Sequence, residues 1–283
     1  MIGQFPKHPL RLHLFAHTAL LFFAAQFTAL VVTDQLKALV FPSITTVSDQ
    51  QSLVYFLIVF FSVTLFLLIL FQFYKGRFLY RLMFASIAFI GLLKVFELVF
   101  PFSLSILVAV TFLLGLFLVP NVWAHDLIVI IASAGIGPIF GLQFSVSAAL
   151  ILLVILSIYD FVAVFVTKHM VGLAHAMIAN QASFALLIPE HYADFRAKLT
   201  DVRPGSGFLI FGGGDVILPM FLNASLYIMY KPLAYWSIGG ALFGMFLNHL
   251  WLMETRRPLP ALPFITLGSI LAIAVGFFVS YPV

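Results

Sequence analysis

The chain has 283 residues, of which 63% are hydrophobic and only 8% are charged. Soluble domains carry about a quarter charged residues, so this composition excludes a soluble globular protein and indicates a polytopic membrane protein. The formal net charge of +4 is typical of basic cytoplasmic loops in a membrane protein and is not a sign of nucleic-acid binding. The absence of cysteine excludes disulfides and thiolate metal sites.

Nine apolar runs follow one another along the chain, and a membrane-spanning helix needs roughly 20 such residues. We therefore predict an all-α membrane protein with one transmembrane domain over residues 1–283 and a single long connection, residues 168–206. The basic stretch KHPLRLHLF is also compatible with a signal peptide, but AAQFTALVV is a poor cleavage site, so a retained first helix is predicted. The predicted spans are 12–32, 52–73, 79–100, 102–119, 126–142, 145–167, 207–230, 233–252 and 261–282.

Lysine and arginine are distributed unevenly around these spans, and cytoplasmic loops are enriched in both. If the amino terminus is cytoplasmic, eleven of them fall on the cytoplasmic side, Lys37 and Lys231 fall outside, and Lys94 lies within a span. The pattern therefore predicts nine spans with the amino terminus inside and the carboxyl terminus outside. The cytoplasmic set is Lys7, Arg11, Lys75, Arg77, Arg81, Lys168, Arg196, Lys198, Arg203, Arg256 and Arg257.

Two aspartates lie inside predicted spans, where a carboxylate is costly unless something offsets its burial. Asp160 occurs in LSIYDFVAVF and Asp215 in FGGGDVILPM. Each is about eight residues from the connecting loop, which at a rise of 1.5 Å per residue places it roughly 12 Å from the cytoplasmic end of its helix. Because these two spans are antiparallel, we predict that the carboxylates lie at one depth and face each other.

Two facing carboxylates have a specific chemistry. When they lie about 3 Å apart in a low-dielectric site they cannot both ionise, so they share one proton. The charged member can then act as a general base and the neutral member as a general acid, and water between them can attack an amide carbonyl. The alternative is a pair of unrelated buried polar groups, but acids within a membrane are functional by default.

Three glycines, Gly212, Gly213 and Gly214, precede Asp215. Each weakens a helix by about 1 kcal/mol relative to alanine, and together they leave bare backbone where another chain can approach closely. The alternative is a stripe of small residues that packs helices together.

Prolines interrupt the start of the ninth span in RRPLPALPFI. Pro258, Pro260 and Pro263 remove amide donors and block regular helix, so we predict an irregular backbone there, of the kind that is tolerated where it lines a cavity. The alternative is an ordinary proline-rich loop.

Together these residues resemble the presenilin family of intramembrane aspartyl proteases, whose pattern is YD in the sixth span, GxGD in the seventh and PAL at the start of the ninth. The resemblance implies that Asp160 and Asp215 are catalytic and that the other motif residues support the active site and bind substrate. For Tyr159, a hydrogen bond in the site and simple packing both stay open. The matching stretches are Tyr159-Asp160, Gly212-Gly213-Gly214-Asp215 and Pro260-Ala261-Leu262.

The family has two branches of opposite orientation. Signal peptide peptidases place the amino terminus outside and usually have glutamine before PAL, whereas Leu259 precedes it here and Pro263 follows it. With the charge pattern, this makes the chain more similar to presenilin, and its length and lack of cysteine suggest a prokaryotic cell membrane. The resemblance implies cleavage of single-span membrane proteins whose amino terminus is outside, in contact with lipid and without accessory subunits.

The connecting loop of about 39 residues is shorter than the animal loop that is cut during maturation, which argues against autoproteolytic activation. Within it, NQASFALLIPEHYADF is half apolar and is expected to lie along the membrane surface. The resemblance also implies that RPGSGFLIF forms a strand that pairs with unwound substrate by edge addition.

A few other polar residues have simpler interpretations. Lys94 and Glu97 are three apart on one helix face, which predicts an intrahelical ion pair. Asp126, beside His125, is expected to favour a helix amino terminus. His249 would need convergent ligands to bind metal, and no HExxH is present, so neither a metal nor a cofactor is predicted.

Four other functions share features with this sequence. A prepilin peptidase also uses GxGD, but its second aspartate is not in an adjacent-span YD. A proton-coupled transporter relays protons through paired acids, but transporters often show inverted repeats and paired broken helices, and the sequence shows neither. A rhomboid-like serine protease needs GxSG, and RPGSG has Pro204 where the first glycine belongs. A scaffold with an inactive aspartate pair stays open.

Overall fold

The computed structural model describes residues 12–40, 49–73, 76–167, 169–203, 207–255 and 259–280. The elements in chain order are α1 (Leu12–Val40), α2 (Asp49–Phe73), α3 (Arg77–Phe96), α4 (Phe102–Leu118), α5 (Val122–Gly141), α6 (Val146–Phe165), α7 (His169–Ala179), β1 (Ala185–Pro189), a 3-10 helix (Tyr192–Arg196), β2 (Phe208–Gly212), α8 (Gly213–Met229), α9 (Lys231–Thr255) and α10 (Leu262–Ser280). Residues of the sequence predictions that lie outside the described ranges are Lys7, Arg11, Lys75, Lys168, Pro204, Arg256, Arg257 and Pro258.

A helix occupies each of the nine predicted spans. Six helices in the described part of the chain, α1, α2, α3, α5, α6 and α10, are long and apolar enough to cross a membrane. Helices α4 and α8 are apolar but shorter, at 17 residues each, and α9 is long but less apolar. These helices make the chain a multi-pass integral membrane protein, and α7 is an additional helix within the predicted loop.

Helix α5 lies at the centre of the described bundle. It packs against α1, α3 and α8, and more of it is buried than of the other candidate spans. The side chain of Asn121 caps α5 by accepting from the Ala124 N–H at 2.7 Å, and Ser145 caps α6 by accepting from the Ala148 N–H at 3.2 Å. Helix α2 is peripheral and contacts mainly α6.

A two-stranded antiparallel sheet lies in the connection between α6 and α8. Strand β1 pairs with β2 so that Ala185 is opposite Gly212 and Pro189 is opposite Phe208. This corrects two expectations. The ALLIP segment is a fully buried strand, not a segment along the membrane surface. The seventh helix begins at Gly213, not at residue 207, because FLIFG is the second strand. The strand that the resemblance implies for RPGSGFLIF is thus present over Phe208–Gly212, where it pairs with β1.

Both errors have one physical cause. A run of five apolar residues is compatible with a buried strand as well as with the first turns of a helix. Which of the two forms depends on whether a partner strand is within reach. The partner here lies about twenty residues earlier in the chain, and the sequence pattern does not reveal that pairing.

The predicted pair between Lys94 and Glu97 is confirmed. The Lys94 Nζ atom lies 2.9 Å from Glu97 Oε2, with the two residues one turn apart near the end of α3. Both side chains are partly exposed, so the pair contributes little to stability.

Candidate active site

The two aspartates of the sequence motifs lie near the facing ends of α6 and α8. Asp160 is followed by five more residues of α6, which ends at Phe165. Asp215 is the third residue of α8 and lies in its first turn. The expectation that Asp215 lies about eight residues inside its helix is therefore wrong, because the residues before Gly213 form β2.

The structure places these two carboxylates within electrostatic range of each other. Helices α6 and α8 pack against each other, and Asp215 is near enough to Asp160 for the charge of Asp160 to act on it. Both residues are half-buried. The Oδ2 atom of Asp160 is buried and has no hydrogen-bond partner in the described part of the chain. A carboxylate oxygen in that position is suited to sharing a proton with a neighbouring acid.

The PAL motif lies against the first of these aspartates. Residues 259–261 are irregular and α10 begins at Leu262, so the predicted irregular backbone is confirmed for the described residues. Pro260, Ala261 and Leu262 are buried. The backbone N–H of Leu262 is directed at the Asp160 carboxylate.

A buried hydroxyl pair holds α10 and α6 together close to this contact. The Oγ atom of Ser157 lies 2.6 Å from Oγ1 of Thr266. Ser157 precedes Asp160 by three residues and Thr266 follows Leu262 by four, so the hydroxyl pair is about one helical turn from the amide–carboxylate contact. The pair therefore ties the start of α10 to the segment of α6 that carries Asp160.

The three glycines have different surroundings. Gly212 ends β2, and a Cβ there would lie 3.0 Å from Asp215 Oδ2. Gly213 donates its N–H to the Phe184 carbonyl at 2.9 Å, and a Cβ on it would overlap that carbonyl. A Cβ on Gly214 would meet no atom within 4 Å. The close backbone approach is thus made within the chain at Gly213, while Gly214 leaves open space beside Asp215.

Tyr159 packs against the peripheral helix α2. Its ring centroid lies 5.9 Å from that of Phe60 and 5.5 Å from that of Phe61, both in edge-on geometry. This contact supports the packing interpretation for its ring. It also places α2 beside the turn of α6 that carries Asp160.

A buried amide pair behind Asp215 was missed by the sequence analysis. The Gln26 side chain in α1 donates to the carbonyl of Val216 at 2.8 Å and accepts from the Asn223 amide at 2.9 Å. Pro219 has no N–H to donate to the Asp215 carbonyl, so α8 is weakened at this turn. The lone glutamine in an apolar span was the available signal, because a buried amide needs a partner.

Asp126 does not have the role expected from the sequence. Asn121 is the cap of α5, and Asp126 is the fifth residue of the helix. Its Oδ1 atom accepts from the backbone N–H of Leu187 in β1 at 2.9 Å, and the adjacent His125 donates from Nε2 to the Ser183 carbonyl at 2.8 Å. Both side chains are almost fully buried. Among the described residues, no group of three or more His, Asp or Glu side chains is arranged to bind a metal ion.

Comparison with known proteins identifies the family. The family model described as "Signal-peptide peptidase, presenilin aspartyl protease" matches residues 19–281. The chain belongs to this family. Together with the solved structures that it resembles, this membership makes the protein an intramembrane aspartic endopeptidase and confirms the resemblance seen in the YD, GxGD and PAL motifs.

Two solved structures have the same fold over almost the whole chain, and both are of a presenilin family intramembrane aspartate protease. The structure in space group C222 is 24% identical, covers 91% of this chain and 94% of its own, and has a TM-score of 0.63. The structure in space group P2 is 25% identical, covers 92% and 96%, and has a TM-score of 0.62. No curated protein matches the sequence.

Proposed function

We propose that the protein hydrolyses peptide bonds within the transmembrane helices of single-span, type I-like membrane proteins, using water activated between Asp160 and Asp215. The observation that carries this proposal is the meeting of these two half-buried carboxylates at the facing ends of α6 and α8. Two acids that share one proton supply both a base and an acid for amide hydrolysis. A membrane-embedded chain otherwise poor in charge has few reasons to bury both.

In the proposed mechanism the two acids have different roles. The Leu262 amide stabilises negative charge on Asp160, so Asp160 is the base that accepts a proton from the attacking water. Asp215 carries the shared proton and donates it to the oxygen of the substrate carbonyl as the tetrahedral intermediate forms. The intermediate then collapses as Asp160 gives its proton to the amide nitrogen, Asp215 takes a proton back from a hydroxyl of the intermediate, and the C–N bond breaks to release the amine and the carboxylic acid. The Ser157–Thr266 pair keeps the Leu262 amide aligned with Asp160.

Strand β2 is the proposed site for the unwound substrate. Glu190 N–H donates to the Gly207 carbonyl and Gly213 N–H donates to the Phe184 carbonyl. These two bonds show which opposite residues of β1 and β2 are hydrogen-bonded pairs. Because hydrogen-bonded and non-hydrogen-bonded pairs alternate, Phe208, Ile210 and Gly212 direct their N–H and C=O groups away from β1. An extended peptide added at this edge leads directly to Asp215, three residues beyond the end of the strand.

The proposal also includes the membrane topology and the cellular location of the enzyme. Nine spans with a cytoplasmic amino terminus follow from the basic loops, and they place the sheet and both aspartates towards the cytoplasmic side. We place the enzyme in a prokaryotic cell membrane, where it acts without accessory subunits, a cofactor or a metal.

The test is a cleavage assay with the purified full chain in lipid vesicles. The substrate is a defined type I single-span protein, and fragments are identified by mass spectrometry. Wild type is expected to cleave it, whereas Asp160→Asn and Asp215→Asn are each expected to produce no fragments. Glu97→Gln makes the same acid-to-amide change near the end of α3 and is expected to cleave at the wild-type rate.

Two results would overturn the proposal. Cleavage at the wild-type rate by both aspartate variants would show that these carboxylates are not catalytic. Absence of proteolysis by wild type, together with Asp215-dependent ion uptake into the vesicles, would instead indicate a proton-coupled transporter.

A further inference from the structure

The two edges of the β1–β2 sheet differ in whether another strand can pair with them. The groups of β1 that point away from β2 belong to Ala185, Leu187 and Pro189, by the same alternation that exposes the edge of β2. Pro189 has no N–H, and the Leu187 N–H is taken by Asp126. Helices α1 and α5 pack along β1. The β1 edge is therefore closed to strand addition, which leaves β2 as the accepting edge.

Two consecutive residues of α5 hold β1 from outside. His125 donates to the Ser183 carbonyl at 2.8 Å, and Asp126 accepts from the Leu187 N–H at 2.9 Å. The His125 ring is stacked on Phe84 of α3, with 5.4 Å between the ring centroids. We name these two α5 residues the His125–Asp126 clamp. Since both are polar and almost fully buried, their conformations are restricted by packing as well as by the hydrogen bonds.

The two hydrogen bonds of the clamp lie on either side of a backbone group that contacts the glycine motif. Phe184 lies between Ser183 and Leu187, and its carbonyl accepts from the Gly213 N–H at 2.9 Å. Gly213 packs so closely on Phe184 that a Cβ would overlap the Phe184 carbonyl. A displacement of β1 relative to α5 would therefore be transmitted through Phe184 and Gly213 to the first turn of α8, which carries Asp215.

Simple helix capping or core packing does not explain Asp126. Asn121 already caps α5, and the second oxygen of Asp126, Oδ2, is buried without a partner in the described part of the chain. Burial of an acid with one unsatisfied oxygen is costly. A leucine would fill this site at lower cost if packing were its only role. The Leu187 N–H, 2.9 Å from Oδ1, accounts for an acceptor at this position, while Nδ1 of the neighbouring His125 is farther from the same oxygen, at 3.3 Å.

We propose that Asp126 is a positioning residue for the substrate strand. Through the His125–Asp126 clamp it fixes β1 on α5, and so sets the register of the open β2 edge relative to Asp215 and the peptide bond that is cut. This inference rests on the proposed function, because it assigns Asp126 a role in choosing the cleavage site within that reaction. Asp126 itself contacts neither substrate nor the reacting atoms.

The experiment compares Asp126→Leu with Asp126→Asn in the full chain in lipid vesicles. Asn keeps a side-chain oxygen that can accept from the Leu187 N–H, whereas Leu removes the acceptor and leaves that N–H buried and unpaired. The measurements are KM and kcat for a defined single-span substrate, the cleavage positions by mass spectrometry, and amide hydrogen exchange of the 185–189 segment.

We expect Asp126→Leu to raise KM at least fivefold, to spread cleavage over neighbouring peptide bonds and to speed exchange in β1 at least tenfold. Its kcat at the main site is expected to fall by a smaller factor than KM rises, because both carboxylates are kept and mainly the substrate strand is misplaced. Asp126→Asn is expected to keep the wild-type cleavage positions. If Asp126→Leu is not recovered folded, Asp126→Glu gives the same test, because it moves the acceptor by one methylene and should shift the cleavage positions.

The inference is wrong if the folded leucine or glutamate variant keeps the wild-type KM and cleavage positions, even when the yield of folded protein falls. That outcome would make Asp126 a purely structural residue. Failure of the proposed function is a separate result, since wild type would then produce no fragments. In that case, β1 exchange in the leucine variant at the wild-type rate would overturn the clamp as well.

Discussion

A close contact between glycines of α9 and α10 makes Gly240→Ala a direct test of how α10 is positioned. Helices α9 and α10 form the most extensive helix–helix contact in the described part of the chain. Gly240 and Gly244 are one turn apart on α9, and Gly268 of α10 lies against Gly240. A Cβ on Gly240 would overlap the Gly268 carbonyl oxygen and would lie 2.5 Å from the Ala272 Cβ. A Cβ on Gly239, the preceding residue, would meet no atom within 4 Å.

The expected loss of stability in Gly240→Ala follows from these distances. Carbon atoms in contact prefer about 3.5–4.0 Å, so Gly240→Ala requires α10 to move away by roughly 1 Å. Overpacking of this kind costs about 1–3 kcal/mol. Alanine also favours a helix over glycine by about 1 kcal/mol, and that gain applies equally to Gly239→Ala. The difference in unfolding free energy between the two variants therefore isolates the packing cost, and we expect it to be about 1–3 kcal/mol.

The assay is reversible unfolding in mixed detergent micelles, paired with the vesicle cleavage assay. Gly240→Ala is expected to be the less stable variant and the less active one, because α10 also carries the Leu262 amide to Asp160. Gly239→Ala is expected to match or exceed wild-type stability with unchanged activity. Equal stability of the two variants would refute the helix spacing on which this reasoning depends.

Two further predictions concern buried polar pairs. Gln26→Leu should cost about 1–3 kcal/mol in micelle unfolding, because it leaves the Asn223 amide unpaired, and the double variant Gln26→Leu/Asn223→Leu should recover most of that loss; a double variant as unstable as the sum of its singles would contradict this. Ser157→Ala and Thr266→Val should each lower the free energy of unfolding by about 1 kcal/mol. Each should also reduce kcat while changing KM by a smaller factor. Their double-mutant cycle should give a coupling of roughly 0.6–1.7 kcal/mol, and a coupling of zero would show that the hydroxyl pair contributes nothing.

The sequence was most informative where a residue type conflicts with its surroundings. Asp160 and Asp215 were found because a carboxylate in an apolar span is costly, and the irregular start of α10 because proline removes amide donors. The same reasoning applied to Gln26 would have predicted a buried partner, although not that its partners are Asn223 and the Val216 carbonyl. No periodicity or fixed spacing in the sequence indicates which two distant amides will pair.

What the sequence determined by itself is the membrane class, the helices of the predicted spans, and the residues of the proposed aspartyl protease site. These depend on local composition and on the cost of burying charge, and both can be evaluated residue by residue. The tertiary structure decided that FLIFG pairs with ALLIP, that Asp215 is in the first turn of α8, and that Asp126 holds β1. Each of these depends on a partner far along the chain, since a backbone N–H or C=O group is satisfied by whichever group the fold brings to it.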